Sequence, residues 1–323
     1  MSHDVTRAIF SSLLIFNSFG LPSMRANQVN EPTGAELFQQ GWKYDQGLGT
    51  QINISKAFAL YQEAAARENP LAKGRLARFY FSGNGVQRDE DQAGQLSRDA
   101  FPDILKAAKT NDSVAQMMVG TMYADGLGVA RDTTEALRWL QRAAKQNLPL
   151  AQANLGVMYE YGQGVPMDAT EAAKWYRKAA DQNSAMAQAY LGDLYDQGRG
   201  VARDGVEAAR LYRLSADQGF AHGQTNLGYL FEHGCFVERD PCEAVRLYRL
   251  AAEQNFAVAQ TNLGTMYEKG CGVPQDRDEA RKWYQLAAAQ GDCNAIEALR
   301  CMSLPAYNDC PIYYSDCSPS WCQ

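Results

Sequence analysis

Histidine is scarce, at 3 of 323 residues, and one of the three stands at position 3. Chemistry built on histidine ligands or a histidine base is thereby close to excluded. Cysteine is absent from the first 234 residues. Positive charge is not in excess either: Lys+Arg 31 against Asp+Glu 37 leaves a net −6. The concentrated basic face that nucleic acid demands is missing. No apolar run reaches the roughly 20 residues of a membrane-spanning helix. The patterns S-x-x-K, G-x-S-x-G, H-E-x-x-H and the phosphate-binding loop do not occur. What remains, at 46% hydrophobic and 21% charged, is a chain able to fold a core.

The chain matches itself at a period of 36. Ala115, Ala151, Ala187, Gly223, Ala259 and Ala295 stand 36 apart, and AQANLGVMYEYGQGV is followed by AQAYLGDLYDQGRGV, GQTNLGYLFEHGCFV and AQTNLGTMYEKGCGV. Such a period means stacked units, each too small to bury its own apolar face. Within a unit, Leu155, Met158 and Tyr159 fall at helical spacing. Gly156, Gly192, Gly228 and Gly264 sit mid-helix, where glycine costs about 1 kcal/mol against alanine, so another helix must pack close against them. Gly126, Gly162, Gly198, Gly234 and Gly270 stop this first helix.

The second helix opens on Asp and Glu three apart: Asp132 and Glu135, Asp168 and Glu171, Asp204 and Glu207, Asp240 and Glu243, Asp276 and Glu279. That is a capping-box spacing. Its buried stripe runs Ala172, Trp175, Tyr176, Ala179, and again Ala280, Trp283, Tyr284, Ala287, so Trp and Tyr serve as core. Asn147, Asn183, Gly219, Asn255 and Gly291 end it with residues that tolerate a left-handed conformation.

The pattern A-x-x-x-L-G-x-x-Y-x-x-G-x-G-V-x-x-D-x-x-x-A-x-x-W-Y-x-x-A-A resembles the Sel-1-like repeat, a subfamily of the tetratricopeptide-type helical repeats. The resemblance covers roughly residues 36–300. It implies a right-handed all-α superhelical solenoid of about seven two-helix repeats, acting as an adaptor for protein or glycan partners. A first unit around Tyr44, Gly47 and Gly49 is degenerate, with Asn53 in place of the capping Asp. The next unit carries an insertion at about 98–105 that includes Pro102, expected to kink the helix and interrupt the stack.

The two ends differ from the repeats. Residues 1–26 hold an apolar stretch from Ala8 to Leu21 after Arg7, the layout of a secretory signal peptide, followed by a linker over 27–35. All eight cysteines, Cys235, Cys242, Cys271, Cys293, Cys301, Cys310, Cys317 and Cys322, lie at the other end. The even number, without C-x-x-C spacing, favours disulfides over zinc and an oxidising compartment. Cys235 and Cys242 flank a short loop and make a reasonable pair. A disulfide-stapled tail over 301–323 is expected to cover the last repeat.

Function then rests on binding. By alignment with the tetratricopeptide pattern, inward-facing variable positions include Ala153, Ala189, Thr225 and Thr261. They also include an acidic stripe of Glu160, Asp193, Asp196, Glu232 and Glu268, with Tyr161 and Tyr229 adding amphipathic area. The expectation is an exported, secreted or periplasmic protein that binds a basic or extended peptide segment of another protein in its groove, without catalysis, cofactor or metal. His222 and His233 are read as ordinary surface or inter-repeat residues. Two alternatives stand beside this reading. One is a penicillin-binding or β-lactamase-type hydrolase, as the resemblance implies for cysteine-rich members; the other is a cytoplasmic adaptor with reduced cysteines.

Overall fold

The computed structural model describes residues 31–303, so the expected leader and the tail beyond Ser303 lie outside the described residues. Among the described residues there are fifteen α-helices and no strand. They form seven pairs and a last single helix. The pairs are α1 (Gly34–Gln46) with α2 (Ile54–Ala66), α3 (Pro70–Ser82) with α4 (Glu90–Lys109), and α5 (Ser113–Asp125) with α6 (Thr133–Lys145). Next come α7 (Pro149–Tyr161) with α8 (Ala169–Ala180) and α9 (Ala185–Gln197) with α10 (Gly205–Asp217). Then α11 (Ala221–His233) pairs with α12 (Pro241–Ala252) and α13 (Ala257–Lys269) with α14 (Arg277–Ala289), before α15 (Cys293–Met302). Each helix packs on its neighbours in sequence, and successive odd helices from α3 to α13 also touch one another. The odd helices thus make the inner layer and the even helices the outer one. The expected solenoid of seven two-helix units is what the chain builds.

Local chemistry accounts for the pairs. Inside α7, a Cβ added at Gly156 would lie 2.5 Å from the Tyr176 ring of α8, so only glycine admits that ring. Gly192, Gly228 and Gly264 face Tyr212, Tyr248 and Tyr284 in the same way. Tyr176, Tyr248 and Tyr284 are fully buried as a result. Trp139 is buried with them, while Trp175 and Trp283 are half-buried at the side of the core.

The Asp caps are as expected, but the full capping box is not. Asp132, Asp168, Asp204, Asp240 and Asp276 each accept from the backbone N–H three residues on. The Glu residues at those positions turn instead to a cation one turn ahead, pairing Glu171 with Lys174 and Glu207 with Arg210. A charged partner competes better for a carboxylate than a neutral N–H does. The reciprocal box occurs at Thr33 and Glu36.

A second polar element joins neighbouring units. Gln182 Nε2 donates to Gln152 Oε1 at 2.7 Å, and Gln146 to Gln116, Gln218 to Gln188, Gln254 to Gln224 and Gln290 to Gln260 repeat the bond at 2.6–2.8 Å. The five acceptor glutamines are buried. This ladder satisfies polar groups that the stack would otherwise bury unpaired.

Two expectations are corrected here. Pro102 does not interrupt the stack: α4 runs unbroken over 20 residues and packs on both α3 and α5. Pro102 sits on the exposed side of that helix, while Ser97, Ala100, Ile104 and Ala108 keep the buried stripe. The missing hydrogen bond therefore falls where water replaces it. Nor do Cys235 and Cys242 pair. Cys242 and Cys293 carry free, exposed thiols. Cys242 lies in the solvent-facing first turn of α12, whereas Cys235 is buried against Leu227, Leu230 and Leu247. Cys235, Cys271 and Cys301 are disulfide-bonded.

The solenoid curves far enough for its first two units to touch its fifth and sixth. The Ile52 N–H, after α1, donates to the Gln218 carbonyl after α10 at 2.8 Å. Asn255 Nδ2, after α12, donates to the Gly83 carbonyl after α3 at 2.9 Å. The inner layer therefore encloses a channel rather than an open trough.

Candidate binding channel

The open face of the inner helices is offset from the expected one. Ala153, Ala189, Thr225 and Thr261 are buried, because these small side chains sit where one inner helix packs on the next. One residue on, Asn154, Tyr190 and Asn226 are part-exposed, together with Leu150, Met186 and His222 a turn before. The signal was present in the sequence. The column holding Asn154, Tyr190, Asn226 and Asn262 precedes the framework leucine and varies between units.

The acidic stripe is mostly engaged in the framework. Glu160, 5% exposed, accepts from Tyr176 Oη at 2.7 Å and pairs with Arg199 at 2.7 Å. Glu232 accepts from Tyr248 Oη at 2.8 Å, and buried Glu268 from Tyr284 Oη at 2.7 Å. Asp45 does the same for Tyr61 in the first unit. In every case the acid stands sixteen residues before the tyrosine. Burial, then the adjacent carboxylate, push the Tyr176 and Tyr248 hydroxyls far above their ordinary pKa, so they remain donors. The glycine that admits the ring also decides where its hydroxyl ends, and that is at the acid. These acids are accordingly withdrawn from the contact role expected of them. Tyr161 and Tyr229 remain exposed, Tyr229 stacked on His233 with ring centroids 4.1 Å apart.

Asp193, in the fifth unit, gathers a larger set of partners beside the channel wall. It accepts from Tyr212 Oη at 2.8 Å and Asn226 Nδ2 at 2.7 Å, and lies 2.8 Å from His222 Nε2. His222 is far from ordinary: its ring is surrounded by Tyr190, Phe256 and Phe220, at centroid distances of 5.3, 6.1 and 6.5 Å. Burial and the nearby acids raise the Tyr190 hydroxyl to about 12. Across the channel stand Arg75, paired with Asp45, and Arg78, paired with Asp125. Between these walls lies a cavity of about 500 Å³ that reaches from Asp45 and Phe79 to Phe256 and Val258. The channel combines an aromatic wall, two guanidiniums and amide groups, which suits an extended chain with apolar side chains. No cluster of three or more metal-ligating side chains occurs among the described residues.

Comparison with known proteins agrees with this architecture. The Sel1 repeat family model matches residues 41–69, 70–98, 113–148, 149–184, 185–220, 221–256 and 257–292. The gap at 99–112 is the extra length of α4 and the turn after it. A Sel1 repeat protein of Oxalobacter formigenes is 30% identical, with TM-score 0.58, over 75% of this chain and 92% of that one. A protective antigen of uropathogenic Escherichia coli with an SLR fold is 33% identical, with TM-score 0.51, over 83% of this chain and 56% of that one. Chitin synthase regulatory factor 3 of Schizosaccharomyces pombe is 32% identical over 139 residues, 42% of this chain. The chain spans 13% of that relative's length.

Proposed function

The chain belongs to the Sel1-repeat family, whose members are in general protein-interaction scaffolds, and from that premise we propose that it binds an extended peptide segment of a partner protein inside its channel. The observation that carries this reading is the wall of Tyr190, His222 and Phe256 facing Arg75 and Arg78 across a cavity of about 500 Å³. Aromatic rings with arginine are what protein-binding sites concentrate. A preference for basic peptides loses its ground, because Glu160, Glu232 and Glu268 already accept from tyrosines.

A photo-crosslinking amino acid at Asn154, inside the channel, is compared with one at Glu253, on the exposed outer layer, in cells that make the protein. The same partner peptide should crosslink at Asn154 and not at Glu253; crosslinks confined to Glu253 would refute the channel reading.

Export belongs to the same proposal. It is supported by the apolar leader from Ala8 to Leu21 and by the bonded state of Cys235, Cys271 and Cys301. Thiol counting on protein isolated without reductant tests it: Cys242 and Cys293 should react, and eight reactive thiols would defeat it.

A further inference from the structure

We infer that the contact between the first two units and the fifth and sixth is a latch, which parts and rejoins so that the ring of helices opens at its side. The opening itself is independent of what the channel holds. Its use, to admit a continuous chain without threading, rests on the channel reading above.

The seam is built unlike the rest of the stack. Helices pack on their neighbours along the chain, whereas across the seam loops meet loops. The Ile52 N–H donates to the Gln218 carbonyl, and Asn255 Nδ2 to the Gly83 carbonyl. Both bonds join neutral groups, and water replaces such bonds at little net cost. Nor do the two surfaces interlock. A cavity of about 560 Å³ lies between Gln51, Ile52 and Ser55 on one side and Arg213, Asp217 and Glu253 on the other. Stable interfaces pack to the density of protein interiors and leave no such gap. All of these residues except Ile52 are exposed even in the closed form, so parting the seam uncovers little.

The stack supplies the motion. Buried apolar side chains form one cluster from Leu37 to Met158, running through α1 to α7. Beyond it they divide into smaller clusters, one around Leu191 and Leu194, one around Leu227 and Leu230, and one around Leu263 and Met266. The first block therefore moves as a body, while the later units flex at the boundaries between clusters. Each repeat contacts only its neighbours, so small rotations at successive boundaries add along a solenoid. Their sum carries the loops of Gln218 and Asn255 away from Ile52 and Gly83 and back.

Double electron–electron resonance on the full chain tests the latch without any ligand. Cys242→Ser and Cys293→Ser remove the free thiols, and spin labels are attached at Gln51→Cys and Glu253→Cys, one on each side of the seam. Two distance populations are expected, the longer shifted outward by about 10 Å or more, the thickness of an extended chain with its side chains. A second pair at Gln51→Cys and Lys109→Cys, both within the first block, should give one population. A single population for the seam pair, whether short or long, overturns the proposal. A disulfide between Ile52→Cys and Gly219→Cys then locks the seam, because a Cβ at Gly219 would lie 3.7 Å from that of Ile52. The locked protein should lose partner crosslinking at Asn154 about tenfold or more, while Ile52→Cys alone keeps it. Undiminished crosslinking in the locked protein overturns side entry. Circular dichroism melting shows whether the locked variant folds, since Gly219 stands at φ 89, and the spin-label distances do not depend on it. Absence of crosslinking at Asn154 even in the unlocked protein would refute the channel reading and leave the latch standing on those distances.

Discussion

Residues 70–148 and residues 149–292 build the same two-helix unit with different keystones. In the later stretch the glycine of the inner helix faces a tyrosine, and in the fourth, sixth and seventh units that tyrosine donates to an acid sixteen residues before it. In the earlier stretch Gly120 faces Leu140, and Gly74 faces Ile104 and Met118. Sixteen residues before Leu140 stands Ala124. Met117, Met118 and Met122 complete an apolar core there. One backbone thus accepts either keystone, and the tyrosine–acid pair cannot be what makes the unit fold. A buried acid adds little net stability, since its desolvation offsets its bonds. What the pair does is penalise misplacement: a ring out of register leaves a buried carboxylate without its donor.

The sharpest way to break that contrast is to convert the fourth unit to the third. Tyr176→Leu alone leaves Glu160 buried with only Arg199, in a partly emptied core, and should cost about 2–4 kcal/mol in urea unfolding. Adding Glu160→Ala reproduces the Leu140–Ala124 arrangement and should recover about 1 kcal/mol or more of that loss. If the double variant is no more stable than Tyr176→Leu, the two keystones are not interchangeable and the contrast fails.

The frame of the molecule was legible because it is written in local chemistry. Asp168 caps α8, Gly162 ends α7 in the left-handed region at φ 66, and Asn183 follows α8 at φ 64, all readable from residue type and spacing. The binding surface was legible only to within one helical position. Ala153 and Asn154 differ by 100° of rotation on α7, and no local propensity says which points outward. That choice is made by how tightly successive inner helices pack, a property of the whole stack. The engagement of Glu160 and Glu268 was hidden for a related reason: an acid on a varying column reads as solvated until its tyrosine, sixteen residues on, is placed beside it. The channel's closure was beyond reach of the sequence as well. It depends on the Ile52–Gln218 and Asn255–Gly83 contacts, made across 166 and 172 residues, and the sum of many small rotations brings them together.

The fifth unit departs from its neighbours, and there the smallest effect is expected. Asp196 stands sixteen residues before Tyr212, yet Tyr212 donates to Asp193, where Asn226 and His222 also converge. Asp196 is half-buried without the tyrosine bond of its counterparts. Burial raises its pKa above 3.8, Arg203 opposes the shift, and Asp193 adds to it. Below the unfolded-state pKa both states carry the proton and the site costs nothing. As pH rises the unfolded chain ionises first, so Asp196 lowers stability increasingly until the folded carboxyl has ionised too, and the penalty is constant above that. Asp196→Asn should therefore raise the melting temperature at pH 7 and leave it unchanged near pH 3. The same exchange at Glu160, whose carboxylate holds Arg199 and Tyr176, should lower it at pH 7. A fall for Asp196→Asn at pH 7 would mean that Asp196 is bonded like the others, and the fifth unit would lose its distinction.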